Sequence, residues 1–478
     1  MSSKALSLLA TLCLMLTCAP VGAADANRYE AMAESLLRDA IRRETAYGLG
    51  QVPDYAETLR RHFLAAGFPE TAVQIVPLGE TASLLVRYRG DGSSGRRPIL
   101  FSSHMDVVPA DPNDWVRNPF ELQEDDTFYF GRGVLDNKFD VSILTTLFIA
   151  LKEEGYVPNR DLVIAFTGDE ESYQATVQQL TRDYREAIDA EFAFVVDGGG
   201  GSLNNAGEAF QFKVGFAEKT YATFAVTARN PGGHSSMPRD DNAIYDLADA
   251  LKRLQAYRFP LQTNEITLTY FERTAPLVGG EVGDAMARIV ADPSDTAAID
   301  LLRQQPEYVG TLGTTCIPTM LAGGHAENAL PQSATATVNC RIFPGNGVQS
   351  TLQVLQQVAD DPDLEWRVVG EPVSSDASPF NAEIMSAIKT SLEPLYPGVP
   401  VIPQMGSGTT DGAFFRAAGI PSYSLTGIFI NPRDSFAHGL NERVPKRSIR
   451  DSLLFWRAMI DQLAGAGSGT PTGVPDNP

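Results

Sequence analysis

Cysteine is scarce in this chain of 478 residues: there are four, and two of them, Cys13 and Cys18, lie in the N-terminal stretch. The other pair, Cys316 and Cys340, has no neighbour in a CxxC spacing, which argues against a multi-thiolate metal centre. Any zinc held here is expected to be held by imidazole and carboxylate. Histidine is nearly as rare, with five residues. Positive charge is short too, since 38 Lys and Arg face 59 Asp and Glu for a net charge of −21. That deficit argues against nucleic acid or an anionic membrane surface as partner, because both demand an excess of Lys and Arg. Beyond the leader, no run reaches the roughly 18 to 20 apolar residues of a membrane span.

What is present begins with that leader. Lys4 precedes the apolar run LSLLATLCLML, and small residues surround Val21-Gly22-Ala23. The pattern predicts a signal peptide over residues 1–23, cut near Ala23 or Ala24. The chain is therefore expected to be exported, periplasmic or secreted, with lipoprotein anchoring through Cys18 as the alternative. An exported Cys316–Cys340 pair can form a disulfide, although spacing alone does not establish that the two meet. With 43% apolar residues, the length supports two or more domains.

Residues 28–44 and 54–66 carry apolar side chains at helical spacing, and Gly67 stops the second run. Short β-like runs follow at 72–77 and 83–88. The strands PILFSS (98–103), DLVIAFT (161–167) and EFAFVV (191–196) then alternate with helical patterns at 140–153 and 173–188. Continuous apolar strands between amphipathic helices predict an α/β catalytic domain whose mostly parallel central sheet is covered by helices on both faces. Its first part is expected over 24–217.

The pattern changes after Gly215. Strands at 219–228, 266–271, 334–342 and 364–369, with helices at 242–253 and 347–359, read as β-α-β-β-α-β. That order predicts an inserted ferredoxin-like α+β lid domain over 218–370. Between its second and third strands, residues 275–326 are expected to be a loop-like elaboration with one helical piece at 297–303, and loops of this length are usually functional or mobile. The α/β pattern returns over 371–464, with a helix at 380–390, a strand at 421–425 and a last helix at 448–463. Residues 465–478 read as a disordered polar tail.

The chemistry gathers where apolar strands stop. His104 and Asp106 stand two apart in FSSHMDVVP, so an extended backbone sends both side chains to one face at the strand's carboxyl end. Asp136 lies in GRGVLDNK, Glu170 and Glu171 in TGDEES, Asp197 directly after EFAFVV, and His438 in FAHGLNERVP. Any one of these acids is more often a helix cap or a solvated turn. Together they fit one crevice, because acids and imidazoles at the carboxyl ends of parallel strands converge. Adjacent glutamates after an apolar strand repel unless a cation relieves them. Imidazole and carboxylate suit zinc or another divalent transition ion, and one carboxylate can bridge two ions. One acid must stay free as general base; spacing does not say whether that is Glu170 or Glu171.

The ordered set HMDVVP, GRGVLDNK, TGDEES, VVDGGG, GGHSSMP and FAHGLNE resembles the M20 family of zinc metallopeptidases, the group of aminoacylase-1, glutamate carboxypeptidase and carnosinase. The resemblance runs from about Arg28 to Leu463. It implies His104, Asp136, Glu171, Asp197 and His438 as metal ligands, with Asp136 bridging, His104 and Asp197 on one zinc, and Glu171 and His438 on the other. It implies Glu170 as general base and Asp106 as the acid that orients His104. Asp197 stands where the family often has Glu.

His234, in NPGGHSSMP, is by default a surface-loop histidine. The resemblance makes it the donor that stabilises the oxyanion, delivered in cis or from a partner subunit. Asn328 and Arg341 resemble lid residues that hold the substrate's polar end, with Arg suited to a carboxylate. Gly408 and Thr409 in GSGTTDG resemble the backbone lining of the substrate pocket. That loop lacks the Lys of a P-loop, and Asp411 beside it could instead cap the following helix.

The function expected is an exported di-zinc hydrolase, with cobalt or manganese as substitute metals. It would cleave an amide or peptide bond next to a free carboxylate, as a carboxypeptidase or dipeptidase. The alternative is an N-acyl amino acid amidohydrolase, and a non-catalytic small-molecule-binding protein is the remaining class. The expected partners are a small peptide or N-acyl amino acid and, by resemblance, a second copy joined through the lid.

Overall fold

The computed structural model describes residues 23–465; the expected signal peptide, apart from Ala23, and the tail beyond Gly465 lie outside the described residues. In the strand Ile99–His104, Ile99 and Phe101 enter one apolar core and Leu100 the other. Leu162–Thr167 repeats this, with Leu162, Ile164 and Phe166 on one face and Val163 and Ala165 on the opposite one. A strand buried on both faces has no polar side to show, which is why these runs are continuously apolar. The first face is closed by the helices Ala23–Ile41, Val52–Ala65, Lys138–Glu153, Ala382–Leu392 and Ser448–Ala464. Ala175–Asp183 and Gly412–Ala417 close the second.

This ten-stranded sheet is mixed, which corrects the expectation of a mostly parallel one. Leu162–Thr167, Ile99–His104, Phe192–Val195 and Ser422–Ser424 form a parallel block in that spatial order. Flanking pairs are antiparallel: Val73–Leu78 with Thr81–Tyr88, and Gly200–Leu203 with Ala209–Glu218. The physical reason is connection length, since a short turn returns a strand antiparallel and only a helical crossover keeps it parallel. A further strand, Val401–Gly406, pairs in parallel with Ala209–Glu218 off the main path. Its Pro403 masks it in the sequence, but a proline is tolerated on an edge strand.

A second sheet has four antiparallel strands in the order Thr315–Gly323, Ser333–Ile342, Thr220–Arg229, Glu365–Val369. The helices Ala243–Ala256 and Val348–Ala359 pack on it through Leu247 and Leu355, against Phe224, Val226 and Val338. The chain order is β-α-β-β-α-β, but its second strand is Thr315–Gly323 and not 266–271.

Residues 266–271 instead lie in the helix Glu265–Val278. Their β-branched side chains serve a helical face, for Ile266, Thr267, Tyr270, Phe271, Thr274 and Ala275 are the buried ones. Asn264 and Thr267 close a capping box at its start. The 275–326 excursion is therefore not loop-like: Gly280–Ala291, Thr296–Arg303 and Pro306–Val309 continue it as helices. At Gly283 a Cβ would stand 2.5 Å from the Ala275 carbonyl oxygen, so glycine lets the helices Glu265–Val278 and Gly280–Ala291 close on each other. Phe271, Met286, Ile289 and Leu302 build a separate small core against Ile402.

Cys316 and Cys340 face each other in the antiparallel register and are joined as a disulfide. Among the described residues, no helix is long and apolar enough to cross a membrane.

Candidate metal centre

The parallel block brings His104, Glu170, Glu171 and Asp197 together. Asp136 comes instead from the loop before the helix Lys138–Glu153, and His438 from the loop between the strands Phe429–Ile430 and Arg443–Pro445, a correction to the expectation that all six stand at the ends of parallel strands. His104 ends its strand and is paired in register with Thr167, so the turn that carries Glu170 and Glu171 leaves beside it. Asp197 follows the neighbouring strand Phe192–Val195 by two residues. Asp136 presents one oxygen to each imidazole: Oδ1 lies 2.9 Å from His104 Nε2, and Oδ2 3.1 Å from His438 Nε2. His438 Nε2 is also 2.7 Å from Glu171 Oε1, and His104 Nε2 is 3.9 Å from Asp197 Oδ2. Ligand atoms of His104, Asp136 and Glu171 lie within 4.8 Å of one another, as do those of His104, Glu170 and Asp197.

The supports of this cluster differ in part from the expectation. His104 Nδ1 is bonded to the main-chain carbonyl of Asp106 at 3.0 Å, while the nearer Asp106 carboxylate oxygen is 3.5 Å away. That carboxylate, while facing the imidazole, also accepts the main-chain N–H groups of Glu170 at 3.1 Å and Glu171 at 3.0 Å. Asp106 thus fixes His104 with its backbone and the two-glutamate turn with its side chain.

Sequence reasoning passed over Arg132, Asp140 and Glu442. Each lies in or beside a quoted motif and is almost fully buried, at 3%, 1% and 0% exposure. The signal was charge in a segment that must pack against apolar strands, since buried charges are paired or functional. Asp140 accepts the Thr426 hydroxyl at 2.9 Å. Asp411 makes no side-chain cap on its helix, contrary to its structural alternative, and instead accepts the Thr167 hydroxyl at 2.5 Å.

Burial pushes the Asp197 carboxyl up to about 8 and Asp411 up to about 7, and lifts Glu170 well above the usual range. Hydrogen bonds to Asp136 and Glu171 push His438 up to about 10. Burial works against ionised Asp136, but its bonds to His104 and His438 hold it below the ordinary value. Acids crowded where burial opposes their charge are the arrangement that a divalent cation relieves.

Glu170, Glu171 and His438 open onto a cleft of about 640 Å³, which Arg341, Gly408 and Thr409 also line. Arg341 lies 4.6 Å from the centre of the Tyr221 ring, and Thr409 Oγ1 donates to the Lys219 carbonyl at 3.0 Å. Tyr173, Tyr221, Val369 and Phe414 supply apolar wall. His234 and Asn328 lie outside it. The short strand Gly233–His234 pairs with Ala329–Leu330, and the Ser235 N–H donates to the Asn328 carbonyl at 3.0 Å. The His234 ring is exposed and accepts the Ser236 N–H at 3.1 Å.

The model of peptidase family M20/M25/M40 matches residues 100–462. This chain belongs to the M20 family. Among its relatives, N-fatty-acyl-amino acid synthase/hydrolase PM20D1 of Xenopus tropicalis is 30% identical over 374 residues, 76% of this chain and 72% of that protein. The probable carboxypeptidase S-like 2 of Dictyostelium discoideum is 25% identical over 420 residues, covering 84% and 79%. The M20 metallo-carboxypeptidase Sso-CP2 of Sulfolobus solfataricus shares the fold at TM-score 0.66 and 17% identity, over 90% of this chain and 98% of that one. The di-peptidase Dug1p of Saccharomyces cerevisiae does so at 0.61 and 18%, over 91% and 96%.

As an M20 protein with this cluster, the chain has a candidate dinuclear metal site. The donors fit such a pair: imidazole nitrogens and carboxylate oxygens are the ligands of zinc and its neighbours, and Asp136 offers separate oxygens to two sides.

Proposed function

We propose that this chain is an exported two-zinc amidohydrolase of N-acyl amino acids. One observation carries the reading: a single cleft joins the acid–imidazole cluster, a guanidinium and an apolar wall. An N-acyl amino acid has a scissile amide, a carboxylate and an apolar acyl group to match them. Relatives named for N-fatty-acyl-amino acid substrates, at up to 30% identity, support it over a peptide substrate. The leader pattern supports export, as does the Cys316–Cys340 bond, since disulfides persist in oxidising compartments.

His104 and Asp197 would hold one ion, Glu171 and His438 the other, with Asp136 between them. When bound, such a pair acidifies water and polarises a carbonyl oxygen. Glu170 takes the proton of the attacking water and passes it to the leaving nitrogen. Arg341 pairs with the substrate carboxylate, while Gly408 and Thr409 form the adjoining wall. His234 and Asn328, lying outside the cleft, act only once the four-stranded sheet swings inward or a second copy supplies them.

A carboxypeptidase or dipeptidase would use the same groups, and the similarity to carboxypeptidase S-like 2 favours it as the second reading. Release of free amine from N-acyl amino acids and dipeptides, in zinc-supplemented buffer, separates the two. Turnover of the N-acyl series is expected, with Glu170→Gln keeping its metal and losing about 10²–10⁴-fold in rate. Preference for dipeptides moves the assignment to the second reading, and parental rates in Glu170→Gln remove Glu170 as the base.

A further inference from the structure

The loop that carries Asp136 and the segment that carries His438 are distant in sequence, and a buried ion pair links them. Arg132 Nη1 donates to Glu442 Oε2 at 2.6 Å, with side chains 3% and 0% exposed. The Glu442 carboxylate also accepts the main-chain N–H groups of Gly133 at 3.1 Å, Leu135 at 2.8 Å and Asp136 at 3.0 Å. From the other end of the pair, Arg132 Nη2 donates to the main-chain carbonyl of His438 at 3.3 Å. The Gly131 N–H closes the set on the Glu442 carbonyl at 3.1 Å.

Stability is a poor explanation for this pair. Two charges removed from water are costly to desolvate, and well-packed apolar residues of similar volume often serve a fold as well. Geometry is the better one: the carboxylate grips the backbone of Asp136, and the guanidinium grips the backbone of His438. We infer that Arg132 and Glu442 form a clasp that sets the separation of Asp136 from His438. They are thereby positioning residues for the cation on the Glu171–His438 side of the centre. The inference rests on the two-metal reading above. His104 and Asp197 are held by adjacent parallel strands and do not depend on the clasp. Its loss therefore weakens the Glu171–His438 ion more than the other, which shares only Asp136 with it.

The test is calorimetric titration of zinc into chelator-stripped full-length protein. Glu442→Gln keeps the shape of the side chain but turns one acceptor into a donor. Arg132→Lys keeps a cation against Glu442 but loses the second arm to His438. The parent is expected to take two zinc ions. Each variant should bind the Glu171–His438 ion about 10- to 100-fold more weakly, the usual cost of removing a ligand's support, with a smaller change at the ion that His104 and Asp197 hold. A purely structural role would weaken both ions to the same extent or lower the melting temperature of the metal-free protein without selecting a site. Either result in Arg132→Lys overturns the clasp, as does a variant that no longer folds or one that binds both ions as the parent does. A parent that takes only one ion overturns the two-metal reading and the clasp with it, and is seen before any variant is compared.

Discussion

Replacing Asp106 by Asn asks what its carboxylate does. In the structure one oxygen accepts the Glu170 N–H at 3.1 Å and the other the Glu171 N–H at 3.0 Å. Hydrogen bonds to a charged partner contribute about 1.5–3 kcal/mol each. Asn retains one acceptor and places an NH2 group against the second N–H, so about 2–3 kcal/mol is lost at the turn. If the loss falls on the position of Glu170, it lowers kcat by about 30- to 160-fold, at 1.36 kcal/mol per tenfold. His104 should keep its ligand orientation, because its Nδ1 is bonded to the Asp106 main-chain carbonyl, which the substitution leaves in place. The assay measures kcat and KM on an N-acyl amino acid and, in parallel, zinc per chain. A large fall in kcat at unchanged zinc content is expected. Loss of zinc with unchanged turnover per filled centre would refute the reasoning and return Asp106 to the role of orienting His104 by its side chain.

In metal-free protein Asp197, Asp411 and His438 have pKa values of about 8, 7 and 10, above their ordinary 3.8, 3.8 and 6.5. The folded state thus binds these protons more tightly than the unfolded chain does. Their stabilisation is complete below the ordinary values and is lost as pH rises through the raised ones. The melting temperature of stripped protein should therefore fall from about pH 4 to 10 and zinc should stabilise most at the alkaline end, where its ligands are deprotonated; a flat metal-free profile would contradict the assigned burial. Cys316 and Cys340 are 24 residues apart, so opening their bond by Cys316→Ser should cost about 3 kcal/mol in a urea melt, and an unchanged midpoint would show that the strand ladder alone fixes this edge.

Much of the fold was legible because its signals are local. Strands such as 162–167 are apolar throughout, and a chain can bury such a run only between two layers. The failures were local as well. ITLTYF at 266–271 alternates like a strand, yet tertiary packing and the Asn264 cap make it helical. VIPQMG at 401–406 contains a proline and so reads as no strand, until an edge position beside Ala209–Glu218 makes the missing N–H harmless.

By itself the sequence determined the donor chemistry: few thiols, two imidazoles and a run of acids, with His104, Glu170, Glu171 and Asp197 placed where apolar strands end. It determined the family as well, because ordered motifs record which residue types must recur. Only the tertiary structure decided which atoms meet. It gave each Asp136 oxygen to a different histidine, turned the Asp106 carboxylate toward the glutamate turn, and brought Glu442 from far along the chain to the Asp136 loop. It also left His234 outside the cleft of its own chain. The physical reason is range: patterning and turn chemistry act between near neighbours in sequence, whereas a hydrogen-bond partner is chosen by three-dimensional packing, which no local pattern encodes.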